Sequence, residues 1–367
     1  MEHNKKILIL VVSILLLGAG FYFWQARAPK PPAYLENLNT ARQLFKEGDT
    51  DQSLDYANKA LLEAGSNKQA EAVTKLLIAL IYLRKTDLAG QTKAIQLMKE
   101  IAGNAAYPNF ERALALQYIA DTWVWQNRSQ EFVNVIFSDE PYASFLSKST
   151  VTSGIRKIYE YSISLYPLPV AEYSVAKWNS NVLWNAINAP KGTFKLALPE
   201  KNYIDAAEEH LKKGDDALPR FMSLKKNNGA EVSRSYLLKG IALGQLAELE
   251  KKPEYNAMAE DAFKKSQDIL NQSSNEHFSP IIRPWLNFYY AVFLERAYGK
   301  QRIADINNLL TYMIAKVSET NNIIAKFIAR WDDSQQRLGT YEGQGASALA
   351  KINPAFKELL RSLGWKI

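Results

Sequence analysis

The chain has 367 residues, of which 47% are hydrophobic and 23% charged, a balance typical of a folded globular protein. It contains no cysteine, which excludes disulfide bonds, thiol nucleophiles and cysteine-ligated metal centres. The formal net charge is +7, but the basic residues are interspersed with acids, which indicates a solvated surface. No nucleic-acid partner is therefore expected. Weak attraction to anionic lipid or wall polymer is the alternative explanation of the excess positive charge.

Residues 1–32 are predicted to form a membrane anchor and a proline-rich spacer. Residues 7–24 carry no charged side chain, and these 18 positions just suffice for a helix to cross a bilayer. The aromatic cluster at 21–24 is typical of a membrane interface. A cleaved signal peptide is the alternative, because residues 18–20 are small. We predict a single-pass membrane protein whose soluble part is extracytoplasmic.

The next segment has the spacing of two helices that pack closely. Small Ala41 precedes large Leu44 by three positions, and a turn follows at Gly48. The second helix then has small residues at matching positions: Ser53, Ala57 and Ala60. This pattern resembles a tetratricopeptide repeat, although Asn37 stands where the family usually has a Trp-like residue. Gly65 replaces the family's terminal proline and can also end a helix.

Weaker copies of this spacing follow through residues 33–165 and again through 204–338. They include Ala79 with Tyr82, Ala120 with Trp123, and Ala291 with Leu294. Residues 132–136 are the predicted partner helix of the Ala120 segment. The resemblance implies an all-α fold, an α-solenoid of tetratricopeptide-like hairpins that share one core. It also implies a concave face that binds a protein or peptide partner, without catalysis. An irregular helical bundle is the alternative.

Residues 166–203 interrupt the pattern with prolines and are predicted to be an irregular connector between two helical arrays. Residues 193–198 alternate like a short strand, but no partner strand is evident. Four large aromatic residues crowd this segment: Tyr166, Tyr173, Trp178 and Trp184. Packing is the simpler interpretation of these rings. If they are exposed, they form a surface that binds peptide or sugar.

Residues 339–367 are predicted to be a flexible joint, at 339–345, and a capping helix. Asn353 is suited to the N-cap, Pro354 to the first helical position and Gly364 to the end. The apolar stripe of this helix would seal the last repeat. Presentation of the stripe to a partner groove is the alternative.

The sequence contains no recognisable catalytic constellation. Its three histidines, at positions 3, 210 and 277, lack metal-ligand spacing, and no nucleophile elbow or phosphate-binding loop occurs. Adjacent carboxylates such as Glu208 and Glu209 point different ways on a helix. We therefore predict no enzyme activity, cofactor, metal or small-molecule substrate. The expected function is a membrane-anchored scaffold or adaptor in envelope assembly or secretion. The alternative is an exported polysaccharide-binding or polysaccharide-degrading protein built around Trp178 and Trp184.

Overall fold

The computed structural model describes residues 32–84, 87–125, 129–146, 150–190, 194–224, 229–272, 279–319 and 339–365. Within these ranges the chain is helical and contains no strand, which confirms the all-α prediction. The helices are α1 (Ala33–Glu47), α2 (Thr50–Glu63), α3 (Lys68–Arg84), α4 (Leu88–Gly103), α5 (Asn109–Trp125), α6 (Gln130–Ile136), α7 (Tyr142–Leu146), α8 (Val151–Leu165), α9 (Pro169–Asn188), α10 (Glu200–Leu224), α11 (Gly229–Glu250), α12 (Pro253–Asn271), α13 (Ser279–Tyr298), α14 (Ile303–Glu319), α15 (Tyr341–Ile352) and α16 (Pro354–Ser362).

The first two helices form the predicted close-packed hairpin. Gly48 ends α1 in the left-handed conformation, and the Asp49 carboxylate accepts the Gln52 backbone N–H at 3.0 Å to cap α2. Ala41 is fully buried at the crossing, where the Ser53 hydroxyl donates to its carbonyl oxygen at 2.8 Å. Small side chains on both helices therefore let the two backbones approach.

Most later helices also pack against their neighbours in the chain, but α5 does not follow the prediction. We expected residues 132–136 to supply its partner, whereas α5 packs mainly against α8 and α4 and has little contact with α6. The reason is length, because α6 has seven residues and α8 has fifteen. The α8 contact is also anchored by Ser162, whose hydroxyl donates to the Ala113 carbonyl at 2.8 Å.

The predicted irregular connector contains a long helix, α9, so that part of the prediction is wrong. Its prolines frame the helix and do not break it: Pro169 is the first helical residue, where no backbone N–H is needed, and Pro190 follows the end. Helix α9 packs against α8, α10 and α11. Residues 194–199 have no regular secondary structure, so the strand-like alternation at 193–198 does not form a strand over the residues described there.

Helix α9 also joins two apolar cores. A first core lies between α1, α2 and α3 and includes Ala41. A middle core includes Ile158 together with Val175 of α9, and a C-terminal core includes Phe263 together with Tyr173 of α9. One helix thus contributes apolar side chains to both larger cores, and the two halves of the chain share it.

The predicted flexible joint is a helix as well. The Thr340 hydroxyl caps α15 by accepting the Gly343 N–H at 3.1 Å. Gly345 lies where a Cβ atom would be 2.6 Å from Val292 of α13, so glycine serves close packing there. Helix α15 then returns to α9, because the Tyr341 backbone N–H donates to the Asn185 side chain at 3.0 Å.

The last helix begins as its sequence suggests. The Asn353 side chain accepts the Phe356 N–H at 2.8 Å, and Pro354 occupies the first turn. Phe356 and Leu360 are fully buried against the C-terminal core. The apolar stripe of α16 is therefore covered by the protein itself.

The predicted anchor lies outside the described residues, apart from the end of its spacer at Pro32. In the part of the chain that the structure describes, no helix has both the length and the apolar character needed to cross a bilayer.

Candidate binding cleft

Two of the four aromatic residues singled out in the sequence are core residues. Tyr173 is fully buried, and its hydroxyl donates to Asp215 at 2.6 Å. Burial, reinforced by this bond, raises the pKa of Tyr173 well above its usual value. Trp184 is equally buried, and its indole N–H donates to Glu248 at 2.8 Å. In this conformation neither ring offers a surface to a partner.

The other two residues are partly exposed but belong to different places. Tyr166 is half-buried beyond the end of α8, edge-on to Phe110 with ring centroids 5.2 Å apart. The Arg220 guanidinium lies 5.1 Å from the centre of the Tyr166 ring. Trp178 lies on α9 and lines a cleft that does not include Tyr166. The structure therefore does not bring the four aromatic residues into one site.

The cleft around Trp178 is formed by four helices, α5, α8, α9 and α11. Its lining residues are Trp123, Val124, Thr152, Ile155, Arg156, Tyr159, Ser174, Lys177, Trp178, Asn181 and Leu238. Its volume of about 120 Å³ is several times what one water molecule requires. It is therefore large enough to admit a small group such as a side chain.

Helical periodicity explains why these residues share a cleft. Ser174, Lys177, Trp178 and Asn181 recur at three- and four-residue intervals, which places them on one face of α9. The lining residues of α8 have the same spacing. Trp178 stands out in the sequence as one of several clustered aromatic residues. Arg156 does not, because nothing local to α8 shows which face of that helix meets α9.

The rim of the cleft carries positive charge. The Arg156 guanidinium lies 4.2 Å from the centre of the Trp178 ring, a cation–π contact, and its Nε is 3.2 Å from Glu160. The Lys177 ammonium donates to the Tyr289 hydroxyl at 3.2 Å and lies 3.8 Å from Glu342. The described lining residues include no Asp or Glu.

A buried polar network lies beneath the cleft. The Tyr159 hydroxyl donates to Asp121 at 2.7 Å, and the same carboxylate oxygen lies 2.7 Å from an Arg234 amino group. Burial and then the Asp121 charge raise the pKa of Tyr159 well above its usual value, so this hydroxyl stays a donor. Because the three residues come from α5, α8 and α11, the network holds three of the four walls together.

A wider depression between α4 and α6 is a weaker candidate. It measures about 680 Å³ and is lined mainly by polar residues, including Lys99 and Asp139. The Lys99 ammonium donates to the Val135 carbonyl at 2.9 Å and to the Ser138 hydroxyl at 3.1 Å, and it pairs with Asp139. Its main cation is therefore already engaged by the protein.

The carboxylate pairs do not converge on a shared point. Glu208 accepts from Tyr255 of α12, whereas Glu209 pairs with Lys213 at 2.5 Å on its own helix. His210 lies 2.6 Å from the buried Glu172, so this histidine is part of the contact between α9 and α10. The described residues contain no group of three or more side chains arranged to hold a metal ion.

No protein-family model matches this chain, and no curated protein or solved structure is detectably similar to it. The resemblance to the tetratricopeptide repeat therefore rests on the residues quoted above and stays a prediction.

Proposed function

We propose that this protein is a membrane-anchored scaffold or adaptor whose soluble helices form a tetratricopeptide-like solenoid that holds a protein or peptide partner. The observation that carries the proposal is the cleft in which Arg156 stacks on Trp178. Trp and Arg are the side chains most often responsible for binding energy at protein interfaces. On this view the protein binds and positions its partner without chemically changing it.

The walls of the cleft favour binding because they are fixed in advance. All its lining residues belong to helices, and the Asp121–Tyr159–Arg234 network ties three of those helices together. A pre-organised site loses less conformational entropy when a partner binds, so more of the contact energy remains as affinity.

The tether in this proposal rests on the sequence of residues 1–32. A membrane anchor would hold the soluble helices close to the extracytoplasmic surface of the membrane. The scaffold and its partner would then be confined to one thin layer. Confinement raises their effective concentration without any new contact. Envelope assembly and secretion are processes in which such a gain is useful, and we propose this setting for the protein.

The geometry gives less support to the polysaccharide alternative. Sugar-binding platforms need exposed, coplanar rings, and degradation needs converging carboxylates. Trp178 and its neighbour Tyr203 are tilted by 36° with centroids 6.4 Å apart. The described lining of the cleft is basic and lacks carboxylates. Both features favour a peptide ligand over a neutral glycan.

Site-specific photocrosslinking in native membranes tests the proposal. A benzophenone amino acid is placed at Thr152, an exposed position on the cleft rim, and in a control protein at Asp261, an exposed position on α12. We expect a discrete crosslinked protein from position 152 that position 261 does not capture. Identical products from both positions, or no product from 152, would contradict the proposal. If the purified protein cleaved or modified a peptide or wall polymer, the protein would be an enzyme and the proposal of a binding role would be wrong.

A further inference from the structure

Two hydrogen-bond donors in the lining of the cleft have no acceptor among the described residues. Nε of Arg156 is buried without a hydrogen-bond partner among the described residues, although it lies 3.2 Å from a Glu160 oxygen. The indole N–H of Trp178 is buried without an acceptor in the same part of the structure. The Asn181 side-chain oxygen is already used, because it accepts from Gln245 at 2.9 Å, which leaves its amide N–H groups as donors. Unsatisfied donors favour a ligand that brings acceptors.

The acidic residues nearest the cleft do not satisfy these hydrogen-bond donors. Glu160 lies 3.2 Å from Nε of Arg156 but does not accept a hydrogen bond from it. The Asp121 carboxylate below the floor is taken by Tyr159 and Arg234. Glu342 lies 3.8 Å from Lys177, longer than a charge-assisted hydrogen bond. Each acid is outside the lining, so an oxyanion inside the cleft would meet cations first.

The lining also contains apolar side chains. Val124, Ile155 and Leu238 join the faces of the aromatic rings and would contact hydrocarbon. A bare inorganic anion would make no favourable contact with these apolar side chains. The combination matches a ligand with a small hydrocarbon part next to an acidic group.

We infer that the cleft recognises an internal acidic and apolar peptide segment, in which an aliphatic side chain enters the cleft and a neighbouring carboxylate pairs with Arg156. This inference rests on the proposed function and specifies the chemistry of the partner. Arg156 is suited to the task because its planar guanidinium can stack on Trp178 with one face and donate two parallel bonds to a carboxylate.

Binding of blocked peptides to the full-length protein in detergent tests the inference. The probes are N-acetylated, C-amidated tetrapeptides Ala-Leu-Glu-Ala, Ala-Leu-Gln-Ala and Ala-Leu-Lys-Ala, together with hexanoate. Binding is followed through the ¹⁵N–¹H indole signal of Trp178, assigned with Trp178→Phe. We expect the Glu peptide to bind about tenfold more tightly than the Gln peptide, because charge-assisted hydrogen bonds are about twice as strong as neutral ones. The Lys peptide is expected to bind weakest.

Variants separate the role of Arg156 from a general loss of charge. Arg156→Gln should abolish the preference for the Glu peptide, and Arg156→Lys should retain part of it. Arg361→Gln, which removes the same charge from an exposed position on α16, should leave the preference unchanged. Melting temperatures within a degree or so of wild type, the range of neutral surface substitutions, would show that the fold is intact.

Three results would overturn the inference: equal affinity for all three peptides, an unchanged preference in Arg156→Gln, or binding of hexanoate without binding of the Glu peptide. If the Glu peptide binds but position 152 captures no partner, the proposed function fails while the chemistry of the cleft stands. If a partner is captured but the Gln peptide binds equally well, the inference fails alone.

Discussion

At the scale of single residues, the crossing of α9 and α10 depends on a glycine. A Cβ atom at Gly214 would lie 2.4 Å from the ring of Tyr173, far inside the contact distance of two carbons. The ring is fully buried and its hydroxyl is held by Asp215, so it has no free direction in which to move. The close approach of the two helices therefore requires a residue without a side chain.

We expect Gly214→Ala to lower the free energy of unfolding by about 1–3 kcal/mol, the usual range for overpacking a core. The matched control is Gly103→Ala at the end of α4, where the new methyl group would meet nothing within 4 Å. That change should be neutral or stabilise by less than about 1 kcal/mol. Urea denaturation of both variants is the measurement. Equal effects of the two substitutions would contradict the close packing of α9 against α10 at Gly214.

A second residue-scale prediction concerns acid stability. Hydrogen bonds from Lys68, Tyr107 and Lys75 lower the pKa of Glu71 to about 2, against an ordinary value of 4.5. A depressed carboxyl pKa stabilises the fold fully above pH 4.5, and this contribution is lost as the pH falls from 4.5 towards 2. When the pH is lowered from above 4.5 into this window, the urea midpoint of the wild-type protein should therefore fall more than that of Glu71→Gln. A parallel decline in the two proteins would contradict the assignment.

At the scale of the helix, α1 and α2 pack closely because small residues occupy their crossing. Ala41, Ala57 and Ala60 have no exposed surface. We expect Ala41→Trp to destabilise by about 1–3 kcal/mol or more, because the large ring has no space at this contact. Ala257→Trp on the exposed side of α12 is the control and should have little effect. Thermal unfolding followed by circular dichroism distinguishes the two, and a melting temperature unchanged by Ala41→Trp would refute the packing.

At the scale of the whole molecule, the contacts of α9 decide whether the two predicted helical arrays fold independently or as one unit. It contacts α8, α10, α11 and α15. A connector between independent arrays would have few such contacts. The shared helix makes the two larger cores depend on each other.

Cleavage of the backbone after α9 tests this dependence. A recognition site for a specific protease is inserted after Lys195, which is exposed and lies outside any helix. We expect the two fragments to elute together in size-exclusion chromatography and to separate only in denaturant, because α9 stays packed on the helices that follow. Fragments that separate in buffer would show that the halves are independent.

The local features of this fold could be read from the sequence. The helical class, the turn at Gly48, the small residues at Ala41 and Ser53, and the cap at Asn353 all depend on contacts within about a dozen positions. Residue type and spacing determine such contacts directly, since a cap or a hairpin crossing needs particular side chains at particular intervals. The same local logic identified Trp178 as a residue of interest.

Only the tertiary structure decided how distant segments meet. Prolines around α9 and glycines in α15 have the same local signals as a linker, and burial by distant helices makes both segments helical. The contact between Asn185 and Tyr341 spans 156 positions, and the bond between Asp121 and Tyr159 under the cleft spans 38. Such pairs are selected by shape and by the cost of leaving buried polar groups unpaired, which depends on the whole assembled core and on no single stretch of sequence.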